Sequence, residues 1–121
     1  MNLRERAANI KDGIVTLTAW LGDGAEVVEN DLAQKRTDIC IKCPLNHPGS
    51  ALTESVAKAI KSQVELRNRL GLRTKGIKSL RTCSACSCYL PVKIFVPFER
   101  IAPDEEEKKR LDPACWLLYE S

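Results

Sequence analysis

Six cysteines carry the clearest chemistry in this chain: Cys40 and Cys43 in "CIKCP", Cys83, Cys86 and Cys88 in "CSACSCYLP", and Cys115 in "DPACW". A CxxC pair turns the backbone back on itself and directs two thiolates at one point, so two pairs supply the four donors of a tetrahedral site. Zinc, redox-inert and satisfied by four sulfurs, is the expected occupant. Cys88, two residues past Cys86, and Cys115, far downstream, extend the donor set to six. Three arrangements meet this spacing: one zinc with two spare thiols, two zincs sharing bridging thiolates, or an iron–sulfur cluster on four of the six. The single zinc is the simplest, and the tight cysteine run of bacterial ferredoxins is missing. His47, the only histidine, follows Cys43 by four residues and is a candidate replacement ligand, although its Pro/Gly-rich surroundings favour plain exposure.

Other readings of a CxxC pair need more than this chain offers. Thioredoxin-like chemistry requires an accessible, activated pair on a βαβ scaffold, and no such pattern is present. GxSxG, Walker and HExxH motifs are missing too. A zinc held by four thiolates has no open position for water or substrate, so the metal is expected to build structure and the protein is not expected to be an enzyme.

The elements that must position these thiols are few. A length of 121 residues allows one domain. Two Trp, two Tyr and two Phe against 29% charged residues make a thin core that needs a staple. Leu3, Ala7, Ile10, Ile14, Leu17 and Leu21 predict an amphipathic helix within residues 1–24, stopped by "GDG". Trp20 lies beside that stripe, where it either caps the core or meets a partner. A second helix, with Asn30 or Asp31 as N-cap, leads into "CIKCP". The third, over about residues 53–70, buries Leu52, Val56, Ile60 and Val64 and belongs to a helical basic insertion, 44–82, between the cysteine pairs. "LRTKGIKSL" follows as a basic loop around Gly76. "YLPVKIFVPF" reads as a strand with Val92, Ile94, Val96 and Phe98 on one side, confined by Pro91 and Pro97 to an edge or a two-stranded ribbon. "APDEEEKKRLDP" predicts a helical turn capped by Asp104. The expected fold is small α+β: helices plus a short β-ribbon around a zinc-ribbon-like cysteine site, one metal-stapled domain over residues 1–121.

The net charge of +3 is unevenly spread. Between Lys58 and Arg81 eight basic residues face a single acid, Glu65. Lys58, Lys61, Arg67, Arg69, Arg73 and Lys75 are therefore candidate contacts to phosphates or to an acidic protein surface, with Leu17 and Trp20 as apolar docking candidates. A solvated helix face followed by a basic loop is the plainer explanation. No aromatic residue stands between Trp20 and Tyr89, which weighs against stacking on single-stranded nucleic acid. The charged opening "MNLRERAANIKDG" and the lack of any apolar run near ~20 residues lead us to expect neither secretion nor membrane insertion. In a reducing compartment, thiols are metal ligands sooner than disulfides, the mark of a secreted scaffold.

"RTDICIKCPLN", "CSACSCYLPVKI" and "DPACW", in that order, resemble a group of small cysteine-rich proteins of tailed bacteriophages and prophages. The matching positions are Arg36, Cys40, Cys43, Cys83, Cys86, Cys88, Leu90, Lys93, Cys115 and Trp116. They cover about half the chain; the 44–82 insertion and the N-terminal helix depart from the shortest members. The resemblance implies a phage-encoded metal-binding module. The expectation is a zinc-stapled structural or interaction protein, a small virion component of tail or baseplate that docks on other proteins of the assembly, located in the virion or host cytoplasm. A zinc-dependent nucleic-acid-binding regulator using residues 58–81 is the alternative.

Overall fold

The computed structural model describes residues 15–68, 71–85 and 88–120, which form a small mixed fold of helices with one two-stranded antiparallel sheet. The first helix, α1, is helical over residues 15–22. It ends where Gly24 takes a φ of 106° and the Ala25 N–H returns to the Trp20 carbonyl at 2.9 Å, a backbone turn in which glycine avoids a Cβ clash. The predicted stripe from Leu3 to Ile14 lies outside the described residues. Leu17 and Trp20 do not form a docking face. Both are buried, and the Trp20 indole N–H donates to the Glu26 carbonyl at 2.7 Å, so the ring belongs to the core.

Helix α2 (Asn30–Ile41) starts after Glu29, and Asn30 is already inside it. Its buried residues, Ala33, Arg36, Thr37 and Cys40, follow the i, i+3, i+4, i+7 pattern of one helix face, and that face includes an arginine. Helix α3 (Ala51–Asn68) is capped by Ser50, whose hydroxyl accepts the Thr53 N–H at 3.0 Å. Its inner face is turned relative to the expected row. Leu52 is 77% exposed, whereas Thr53 and Glu54 are buried with Ala57, Ile60 and Val64. The cause is polar. Glu54 accepts hydrogen bonds from the Gly49 N–H (3.1 Å), the Thr82 hydroxyl (3.0 Å) and the Arg81 guanidinium (2.9 Å), which draws this side of the helix inward. Gly49 permits that approach, since a Cβ there would collide with the Thr82 hydroxyl.

The ribbon is not where the alternation of residues 92–98 placed it. Strand β1 (Asn46–His47) pairs with β2 (Thr82–Cys83), Asn46 opposite Cys83 and His47 opposite Thr82. Residues 90–93 instead form a short helix, α4 (Leu90–Lys93), with Pro91 in its first turn, and the Ile94 N–H closes on the Leu90 carbonyl at 3.2 Å. Every residue from Leu90 to Val96 is buried, so the segment has no solvent side for a period of two to mark. Helices α5 (Phe98–Ile101) and α6 (Glu105–Arg110) follow. As expected, Asp104 caps α6, its carboxylate accepting the Glu107 N–H at 2.8 Å. Single 3₁₀ turns occupy Ile77–Ser79 and Trp116–Leu118. Trp20, Val64, Leu72, Leu80, Val92, Ile94, Val96 and Trp116 make up the innermost core. Among the described residues, no helix is long and apolar enough to cross a membrane.

Candidate metal centre

Cys40 ends the buried face of α2, Cys43 follows one turn later, Cys83 closes β2, and Cys115 immediately precedes the 3₁₀ turn at Trp116. All four line one cavity of about 20 Å³, room for a single small occupant. Leu45, Leu90, Leu111 and Leu117 make its wall largely apolar, and Asn46, Lys93 and Trp116 complete it. The two cysteine turns are held together by backbone bonds. Cys43 N–H reaches the Cys40 carbonyl (3.1 Å), Cys83 N–H reaches the Cys88 carbonyl (2.9 Å), and Ser84 N–H crosses to the Leu45 carbonyl (2.8 Å).

Electrostatics at this cavity are those of buried sulfur. Desolvation pushes the Cys40 thiol up to about 11; the Trp116 indole N–H, donating to its Sγ at 3.2 Å, works the other way. Cys115 and Cys43 raise it further, and the ammonium of Lys93 lowers it. The thiol therefore keeps its proton at neutral pH unless a cation takes the proton's place. As they stand, no three Cys, His, Asp or Glu side chains among the described residues are grouped tightly enough to clasp an ion. The sulfurs share a cavity without forming a closed cage. Their chemistry fits a soft divalent ion nonetheless: four sulfur donors, apolar walls, and N–H and ammonium groups beside the sulfurs.

Of the sequence-derived ligand candidates, the structure gathers Cys40, Cys43, Cys83 and Cys115. Cys86 lies outside the described residues. Cys88 is half-buried and does not line the cavity, and His47 is exposed on β1, away from the wall. Cys115, more than thirty positions from the three other cysteines of the cavity, takes a place that CxxC spacing gives to a second pair.

Beside the cavity sits a buried arginine. Arg36 makes a two-pronged contact with Glu120 (2.9 and 2.5 Å), donates to the carbonyls of Ile94 (2.9 Å) and Val96 (2.8 Å), and lies over the Trp116 ring at 4.2 Å. It thus joins α2, the 90–96 segment and the C-terminal turn that carries Cys115. Charge reasoning alone treats Arg36 and Lys93 as surface residues. Their signal in the sequence is only their nearness to the cysteines, Arg36 four residues before Cys40 and Lys93 five after Cys88. Asn46 gave no such signal, yet its side chain donates to the Ser79 carbonyl (2.9 Å) and accepts from the Arg81 N–H (2.8 Å), fixing the approach to β2.

The basic run does not form one stripe. Lys58 and Lys61 border a groove together with Lys78 and Arg81. Arg67 donates to the Leu21 carbonyl. The backbone of Lys75 is clamped from both sides by the Gln34 amide (2.8 and 3.0 Å), and Arg73 is exposed. Arg69 lies outside the described residues. Comparison with protein-family models, with characterised proteins and with solved structures finds no match to this chain.

Proposed function

We propose that this chain is a zinc-stapled structural or interaction module, of the kind suggested by its resemblance to small cysteine-rich phage proteins, and that it serves as a small tail or baseplate component docking on other virion proteins. One observation carries the metal reading: thiols from the end of α2, from β2 and from the C-terminal segment line a single cavity of about 20 Å³. Cys40, Cys43, Cys83 and Cys115 would hold the ion. When bound it supplies a crosslink between distant segments, and with four thiolates around it no position is left for substrate, so its role is structural and not catalytic. Lys93 offsets part of the thiolate charge, and the Trp116 indole orients Cys40.

The test is elemental analysis of protein purified without added metal, followed by chelation. One zinc per chain is expected, and Cys40→Ser or Cys115→Ser should lose it. At free zinc a thousand times Kd, the bound ion contributes about 4 kcal/mol, so stripping it should lower Tm by on the order of 15 °C. Iron with visible colour, or no metal with an unchanged Tm, overturns the staple.

A further inference from the structure

We infer that the basic groove bordered by α3 and the 3₁₀ turn at Ile77–Ser79 is a docking site for an acidic peptide segment of a partner protein. Its volume is about 550 Å³, within the range of ligand-binding clefts. Lys58 and Lys61 enter it from α3; Lys78 and Arg81 enter from the segment leading into β2. The side chains of Lys58, Lys61 and Lys78 make no ion pair or hydrogen bond among the described residues, so their charge is open to a ligand. Arg81 contributes with its side chain 48% exposed while bonded to Glu54. Among the described residues lining the groove the one acid, Glu65, is engaged by the Leu72 N–H at 2.8 Å. A concave site with this balance concentrates positive potential.

Shape and lining decide among anions. Of the apolar residues lining the groove, Ile77 is half-buried, whereas Leu80 and Pro91 are buried. A peptide narrow enough to enter the groove brings carboxylates to the lysines on its sides and an apolar side chain to Ile77. A nucleic-acid duplex presents a broad convex array of phosphates, which meets exposed cations but does not enter a concave site and offers nothing to Ile77. A single strand needs open aromatic faces, and Tyr89, the one aromatic among the described residues lining the groove, is only 9% exposed.

The assignment rests on the interaction role proposed above, and it shares no lining residue with the thiol cavity. Fluorescence anisotropy of the full chain with a labelled peptide of alternating Glu and Leu tests it, alongside a Lys/Leu peptide, a short DNA duplex and an oligothymidylate. The Glu/Leu peptide should bind in the micromolar range and lose about tenfold as salt screens the charges. Replacing Lys58→Gln, Lys61→Gln and Lys78→Gln together should weaken binding about tenfold with circular dichroism and metal content unchanged. Tighter binding of either DNA, equal binding of the Lys/Leu peptide, or native affinity in the triple variant overturns the proposal. Metal retained without peptide binding sinks the groove alone, and peptide binding without metal sinks the staple alone.

Discussion

Arg36 and Arg81 each hold a glutamate, one beside the thiol cavity and the other at the edge of the basic groove. At the first, the cation is sealed: the Arg36 side chain is 1% exposed and Glu120 19%. At the second the anion is sealed, with Glu54 at 7% and Arg81 at 48%. The same pair of groups therefore does different work. Arg36 satisfies carboxylate, carbonyls and an aromatic face from three parts of the chain, and nothing of it remains for a ligand. Arg81 spends one edge on Glu54 and keeps the rest at the rim of the groove. The cavity end is built for internal cohesion, and the groove end leaves its cations to the outside.

The largest effect should come from Arg36. Arg36→Met leaves the Glu120 carboxylate and the Ile94 and Val96 carbonyls without their donor, and a broken buried pair costs about 3–5 kcal/mol. Urea denaturation measures this directly. Arg36→Lys keeps the charge but not the planar fork, and should lie between native and Met. Adding Glu120→Leu to Arg36→Met should recover part of the loss, because the stranded carboxylate goes while the two carbonyls remain. A loss below about 1 kcal/mol for Arg36→Met would erase the contrast with Arg81.

How much of this was legible from residues alone depends on how local each cause is. The Asp104 cap and the stop after α1 involve partners within a few positions, and both appear where expected. The paired turns that bring Cys40 and Cys43 toward one point are equally local. Burial of Arg36 is not, because its partners lie 58 to 84 positions away. Apolar periodicity counts hydrophobic side chains and so places Leu52 inward. Glu54 outweighs it through Arg81, Thr82 and Gly49, a set that forms only once β2 meets the start of α3. Residues 90–96 misled for a related reason: β-branched Val92, Ile94 and Val96 suggest a strand, but a segment surrounded on all sides carries no period, and Pro91 favours a helix start. Placement of Cys115 on the cavity wall depends on the C-terminal turn held by Arg36, which no spacing rule contains.

An intermediate effect is expected at the second pair. Glu54→Gln keeps the shape of the side chain while weakening three hydrogen bonds, at a cost of about 1–2 kcal/mol by thermal or urea unfolding. Arg81→Gln should cost less, since the guanidinium is half in water and Gly49 and Thr82 still serve the carboxylate. That ordering, glutamate above arginine, follows from which partner is buried. If Arg81→Gln proved the more damaging, Arg81 would be a structural pin like Arg36, and its place at the rim would lose its meaning for a ligand.

The smallest effect is a pH dependence with a definite sign. Arg81 holds the Glu54 carboxyl below the ordinary carboxylate range; burial opposes this, and the Gly49 N–H and Thr82 hydroxyl add to it. A folded pKa below the unfolded one, about 4.3, means that the stabilisation is complete above that value and disappears as pH falls through the folded pKa. Native protein should thus lose stability on acidification below about pH 4, and Glu54→Gln, with nothing to protonate there, should fall less steeply. With Arg81→Gln the Glu54 pKa moves back toward its unfolded value, so that carboxylate's part of the acid loss shrinks, although the hydrogen bonds from Gly49 and Thr82 remain. Tm measured from pH 6 down to pH 3 for the three proteins separates these outcomes. Parallel acid slopes for native and Glu54→Gln would show that the sealed glutamate is not what acid attacks, and the groove end would then owe its cohesion to packing and not to this pair.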